Sequence, residues 1–246
     1  MIVSAIQNIS IENGSTLLIN KPLRWTSFDV VNKLKHEIRK RLGIKKVKIG
    51  HAGTLDPLAT GLLIICIGKH TKKISEYQNL NKQYTGTFVL GATTESYDLE
   101  HPPTNFCSLD NITPSQISTA VNQLTRTFLQ TPPLYSAVKL QGKSAFEYAR
   151  QGINIELRAK EINIHSFEIT HLELPEIDFK INCSKGTYIR SIARDLGELL
   201  GCGAYLKTLT RTHIGSFSLE SAYDLTPLIS EEKTHNPNRK KKKFEV

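Results

Sequence analysis

The 246-residue chain, 39% hydrophobic and 22% charged, has the composition of a soluble globular protein that can bury a substantial core in one large domain or two small ones. Its formal charge of +9 points to a polyanionic partner. Cys66, Cys107, Cys183 and Cys202 are scattered without C-x-x-C spacing, so neither a zinc site nor a disulfide framework is indicated; no apolar run approaches a membrane span, and a reducing cytoplasmic location fits best.

Residues 1–15 carry little pattern beyond alternating Ile and Val and read as an edge strand or loose leader. Residues 16–20 (TLLIN) read as a buried strand stopped by Lys21-Pro22. A helix follows, capped by Thr26 or Ser27, with Val30, Val31, Leu34, Ile38 and Leu42 on one face and Gly43 at its end. From Lys33 to Lys48 the charges are Lys33, Lys35, Arg39, Lys40, Arg41, Lys45, Lys46 and Lys48, offset only by Glu37, a one-signed excess suited to tracking phosphates.

Residues 50–61 read G-H-A-G-T-L-D-P-L-A-T-G, a glycine-rich loop between two apolar runs. Pro57 fixes its own φ and biases Asp56 towards an extended backbone, so the carboxylate is either a turn former or a presented group. Residues 62–67 form a buried strand, 71–79 a short helix, and 83–92 a half-buried strand carrying Tyr84, whose plain reading is an aromatic packed on the sheet. Residues 93–111 read as a long irregular connection.

Thr113-Pro114-Ser115-Gln116 is a capping box opening a helix with Ile117, Ala120, Val121 and Leu124 inward. Residues 134–140 read as a strand turning at Gln141-Gly142, and 144–151 as a short helix with Ser144 and Glu147 in capping-box spacing. Residues 161–174 read as a strand with a bulge near His165, and 177–183 as its neighbour. The next helix has the core stripe Ile189, Ile192, Ala193, Leu196, Leu199 and Leu200; Arg190 reads as an exposed helix arginine. Two strands, 205–210 and 214–218, close the ordered chain, and residues 231–246 read as a disordered basic tail containing RKKKK. Without a strict βαβ rhythm, the fold class is α+β with a mixed, largely antiparallel sheet flanked by helices.

The loop lacks G-x-x-x-x-G-K-[ST], and a carboxylate would repel phosphate, so a phosphate cradle is disfavoured. No second carboxylate is presented in a comparable turn, which argues against a glycosidase, and a metal nuclease would want several. What remains is one carboxylate working as nucleophile or base on a flipped nucleotide.

The motifs GHAGTLDPLATGLL, Lys21-Pro22, Lys82-Gln83-Tyr84, PPLYSAVK at 132–139, YARQG at 148–152 and CSKGTYIRSIARDLG at 183–197 resemble those of the TruB-type tRNA pseudouridine-55 synthases, in the same order. The resemblance runs from about Thr16 to about Phe217 and implies a pseudouridine synthase catalytic domain over 1–230. It implies isomerisation of a T-loop uridine of tRNA to its C-glycoside by a monomer, without metal or organic cofactor. By that resemblance Asp56 is the nucleophile, Arg190 its cationic partner and Tyr84 the residue that stacks on the base. His51, Lys21, Tyr188 and Asp98 fall at substrate-binding or supporting positions. Longer members carry a PUA RNA-binding domain after the catalytic domain, and this chain departs from them there. The competing expectation is a noncatalytic tRNA-binding or folding protein on the same scaffold.

Overall fold

A computed structural model describes residues 1–153 and 155–229; the expected basic tail lies outside the described residues. The chain begins with α1 (Ile2–Gln7), β1 (Ser15–Lys21), α2 (Ser27–Leu42), β2 (Ile49–His51) and β3 (Ala59–Ile67). A 3-10 turn (Gly68–Lys73) leads into α3 (Ile74–Asn79) and β4 (Lys82–Leu90). After the irregular connection come α4 (Pro114–Leu124), β5 (Thr127–Gln130), the short pair β6 (Lys139–Leu140) and β7 (Lys143–Ser144), and α5 (Ala145–Arg150). The remainder is β8 (Lys160–Glu173), β9 (Glu176–Cys183), α6 (Ile189–Leu200), β10 (Ala204–Ile214), β11 (Phe217–Ser218) and β12 (Tyr223–Asp224).

One mixed sheet organises these elements in the order β12-β1-β3-β10-β4-β9-β8-β5, with β2 paired to β3 and β11 to β10. Among the described strand pairs β1–β12 and β3–β10 run parallel and the rest antiparallel. The architecture is thus the expected α+β class. Apolar clusters pack on the sheet: α1 and α2 set Ile2, Ile6, Val30, Leu34 and Ile38 on β1 and β3, α4 and α6 cover β4, β8, β9 and β10, and a smaller cluster gathers Leu62, Ile64, Cys66 and Ile214.

Local chemistry explains the helix limits. Thr26 Oγ1 accepts the Asp29 N–H at 3.0 Å while Asp29 accepts the Thr26 N–H at 2.9 Å, and Gly43 ends α2 at φ 65°. Thr113 and Gln116 close the same box on α4. The bulge expected near His165 is present as a register shift between Ile164 and Ser166.

Three expectations are corrected. Residues 2–7 are helical, because Ile2, Ile6 and Ile9 recur at helical spacing and bury one face against the α2 cluster; reading the Ile and Val positions as alternation missed it. In 134–140 only Lys139–Leu140 is strand, since the carbonyl of Tyr135 accepts from Arg190 and that of Ser136 accepts from Phe146 N–H, leaving no ladder to form. β10 continues through 211–213, where a register shift opposite β4 absorbs the polar residues that resemble a turn; the reversal falls at Gly215.

Gly61 is the last residue of β3 paired with β10, opposite Arg211. It sits at φ +103°, and a Cβ there would lie 2.4 Å from the Arg211 carbonyl oxygen and 2.7 Å from its nitrogen. Gly61→Ala is expected to destabilise the fold by more than about 1 kcal/mol, because strain and a backbone clash coincide. Urea unfolding should give a lower midpoint at unchanged slope; an unchanged midpoint would contradict this packing.

Candidate active site

The loop 52–58 joins β2 to β3, and its backbone is fastened on two sides. On one, the Ser27 hydroxyl accepts the Leu55 N–H at 2.9 Å and donates to the Leu55 carbonyl at 3.2 Å, and Arg24 N–H donates to the Pro57 carbonyl at 2.7 Å. Lys21, fully buried, donates its ammonium to the carbonyls of Pro22 (3.0 Å), Trp25 (2.5 Å) and Pro57 (3.5 Å). Burial holds its pKa down at about 8, against the pull of Asp56 in the other direction.

The other fastening is Arg211. At 1% exposure it donates Nε to the Leu62 carbonyl (2.8 Å), Nη2 to that of Gly53 (3.0 Å) and Nη1 to that of Thr54 (3.5 Å). Between these two cations the Asp56 carbonyl accepts the Ala59 N–H at 3.1 Å, the turn that Asp-Pro favours, and its carboxylate is part-exposed.

That carboxylate meets Arg190. Gln130 grips both backbone groups of Tyr188, accepting its N–H at 2.8 Å and donating to its carbonyl at 3.2 Å, which fixes the start of α6. Arg190 then points off the buried side of the helix: Nε donates to Asp56 Oδ2 at 2.9 Å, Nη1 to the Ser96 carbonyl at 3.0 Å and Nη2 to the Tyr135 carbonyl at 2.9 Å. The Arg190 side chain is 4% exposed and the Asp56 side chain 37%, so the pair has one dry end and one open end. Burial opposes the guanidinium charge, but Asp56, Asp98 and Glu100 outweigh it and raise its pKa above the ordinary value.

Asp98 lies beneath this pair. It is buried, its Oδ2 is 3.6 Å from Arg190 Nε, and its Oδ1 accepts from the Ser96 hydroxyl at 2.5 Å and the Glu100 N–H at 3.0 Å. Burial raises its pKa, with Arg190 opposing. Tyr84 is buried on β4 directly across from Arg211 on β10, and burial raises its phenol pKa. Tyr188 is half-buried, and burial followed by the Asp56 charge raises its pKa too. Both phenols are therefore neutral and able to donate. His51 ends β2, half-buried, with its Nδ1 buried and without a hydrogen-bond partner among the described residues.

The structure thus gathers Asp56, Arg190 and Asp98 at one point, with Tyr84 and Tyr188 within electrostatic reach of Asp56 and Lys21 beneath the loop. Arg211 was not legible in the sequence. It stands among threonines in a strand whose bulges shift the inward phase, so alternation gave no sign that it points inside.

A family model described as the N-terminal domain of TruB family pseudouridylate synthases matches residues 39–189, and one for the tRNA pseudouridylate synthase B C-terminal domain matches 190–241. The chain belongs to the TruB family. A TruB-family relative from Flavobacterium johnsoniae, named tRNA pseudouridine synthase B, is 52% identical over 87% of this chain and 93% of its own length. A protein of the same name from Phocaeicola vulgatus is 48% identical over 86% of this chain and 90% of its own length. Among solved structures, a chain of the crystal structure of a Cbf5-Nop10-Gar1 complex shares the fold at TM-score 0.65 and 24% identity, covering 94% of this chain and 58% of that one.

Burial, followed by the Arg211 charge, holds the His51 pKa below its ordinary 6.5. As pH falls below 6.5 the unfolded chain takes up this proton before the folded one, so His51 contributes stability that is present above that pH and lost below it. The fall in Tm between about pH 7.5 and about pH 5.5 should be larger for the unmodified protein than for His51→Gln. Equal falls in the two would mean that His51 is not held neutral by its surroundings.

Proposed function

We propose that this chain is a tRNA pseudouridine synthase that isomerises the T-loop uridine at position 55 through nucleophilic attack by Asp56. The observation that carries this reading is the Asp56–Arg190 pair: a carboxylate open on one side, fixed at 2.9 Å by a buried guanidinium on the other. One oxygen is engaged by Arg190, and the second carries no hydrogen bond among the described residues, which suits it to bond to a nucleoside. Family membership and the names of the relatives support the same substrate and reaction.

The atoms balance without a co-reactant. The carboxylate bonds to the nucleoside, the bond from N1 to C1′ breaks, the uracil turns, and C5 bonds to C1′ as the carboxylate departs. The proton on C5 is lost and N1 gains one, so substrate and product are isomers. Extracting the uridine from its stack costs a few kcal/mol, which contacts to the surrounding RNA offset.

The remaining residues take roles set by their surroundings. Arg190 supplies the counter-charge and aims Asp56. Asp98, buried against Arg190, holds the guanidinium in place. Tyr84 forms the wall on which the base stacks, with Tyr188 beside it and its hydroxyl available as a donor. His51 touches RNA at the edge of the loop, and Lys21 and Arg211 hold the loop's backbone. The catalytic domain spans 1–230, acts as a monomer on the T-arm, and works in the cytoplasm. Among the described residues no helix is long and apolar enough to cross a membrane. A purely binding scaffold would have no use for a carboxylate and buried guanidinium matched in this way, and that alternative is not favoured.

The test is to incubate the protein with unmodified tRNA and measure pseudouridine in the T-loop. Asp56→Ala is expected to bind tRNA and form no product, and turnover by it would sink the nucleophile assignment. Arg190→Lys keeps the charge but cannot serve three acceptors in one plane, so kcat should fall by at least about 100-fold, or roughly 3 kcal/mol. A kcat within about threefold of the unmodified protein would remove Arg190 from the reacting site.

A further inference from the structure

Arg194 stands four residues after Arg190 on α6, so the two side chains leave one face of the helix a turn apart. Its Nε and Nη2 donate to Asp195 Oδ1 at 2.8 and 2.6 Å, and Glu198 Oε1 lies 3.8 Å away, so its charge is opposed within the helix. Its Nη1 donates to the Thr131 carbonyl at 3.4 Å, which also accepts the Ser191 hydroxyl at 3.0 Å. The guanidinium carbon lies 5.3 Å from the centre of the Tyr97 ring, within reach of a cation–π contact. Arg194 thus meets the same two segments as Arg190. Thr131 lies on the segment whose Tyr135 carbonyl Arg190 holds, and Tyr97 stands between Ser96 and Asp98, which both meet Arg190.

The backbone of Tyr97 is strained. It takes φ 60°, a left-handed conformation that a bulky side chain rarely adopts. Its N–H donates to the Thr94 carbonyl at 3.2 Å and its carbonyl accepts the Leu206 N–H of β10 at 2.9 Å, while the Thr94 hydroxyl donates to the Asp98 carbonyl at 2.7 Å. These bonds close residues 94–98 into a tight turn in which Ser96, before Tyr97, and Asp98, after it, both present acceptors to one guanidinium. Strain of this kind persists only where the surroundings hold it, and it gathers at functional sites. The ring seated on Arg194 is such a hold, and it is anchored in a helix whose start is fixed by Gln130.

We propose that Tyr97 and Arg194 are a positioning pair for the reaction: the ring on Arg194 keeps the 94–98 turn in its left-handed form, and so keeps the Ser96 carbonyl and the Asp98 carboxylate on Arg190, which aims Asp56. Both residues act through Arg190 rather than on the substrate. This rests on the reading of the Asp56–Arg190 pair as the reacting site.

The test separates the ring from the backbone. Asparagine visits the left-handed conformation readily, so Tyr97→Asn leaves the turn accessible and removes the ring, while Tyr97→Phe keeps the ring and removes the hydroxyl. Pseudouridine formation on unmodified tRNA is measured per tRNA-binding molecule, so that a misfolded fraction does not count. Tyr97→Asn and Arg194→Gln should each lower kcat about 10-fold with KM within about twofold, because aiming is lost and RNA binding is not. Tyr97→Phe should keep kcat within about twofold. The deciding measurement repeats Tyr97→Asn and Arg194→Gln in an Arg190→Lys background, where each should lower kcat by less than about a further twofold, since the group they position is gone. A merely structural role would multiply the losses instead. Multiplied losses overturn the proposal, as does an unchanged kcat in Tyr97→Asn or an equal fall in Tyr97→Phe and Tyr97→Asn. If Tyr97→Asn yields no tRNA-binding protein, Arg194→Gln decides through the same cycle. No pseudouridine from the unmodified protein would overturn the proposed function and this role with it, whereas full activity in Tyr97→Asn overturns the positioning role alone.

Discussion

The structure turns on a guanidinium taken out of water. Arg190 is buried, and a buried cation is tolerated only where its donors are matched and its charge is opposed. Its three nitrogens reach three different segments: the loop 52–58 through Asp56, the connection 93–111 through the Ser96 carbonyl, and the segment 131–138 through the Tyr135 carbonyl. Moving any one of them would leave a buried donor unpaired. Asp98 adds a second negative charge from below, and its own carboxylate is anchored by Ser96 and Glu100. The connection 93–111 and the segment 131–138 each give one carbonyl to this side chain.

A second constraint acts on the backbone of the glycine-rich loop. Lys21 and Arg211 both direct their donors to carbonyl oxygens rather than to carboxylates, and both are almost wholly buried. The penalty is visible in Lys21, whose pKa is held down to about 8. The Arg211 charge acts on its neighbours, adding to burial in pushing down the pKa values of Lys21, His51 and Lys82. Two buried cations thus lie under the loop, while burial raises the pKa of the nearby phenols of Tyr84 and Tyr188 and keeps them neutral.

Much of this was legible because the chain punctuates its elements. Thr26 or Ser27, Thr113 with Gln116, and Ser144 with Glu147 mark helix starts, and Gly43 marks an end, in the left-handed conformation. Asp56-Pro57 marked a turn in the glycine-rich loop but left its carboxylate open between a turn former and a presented group. What escaped was everything decided by tertiary phase. α1 is too short for its period to stand out, and Arg211 faces inward only because β10 is bulged. Arg190 illustrates the limit best: composition and periodicity put it on the solvent side of an amphipathic helix, and only packing against Asp56 and Asp98 turns that side inward.

The crossover in the sheet explains how distant parts of the chain reach one site. β10 enters between β3 and β4, parallel to the first and antiparallel to the second, which places Arg211 opposite Gly61 on one side and Tyr84 on the other. α6, immediately before it, delivers Arg190 to Asp56 from the far end of the sequence. The two family matches meet between Ile189 and Arg190, inside α6, so that division separates Asp56 and Tyr84 from both arginines. The carboxylate and its cation are contributed by opposite sides of the division, and the loop that carries the carboxylate is fastened by a strand from the other side. Arg211 reaches the loop's carbonyls from β10, so the position of the Asp56 loop is tied to the seating of β10 in the sheet.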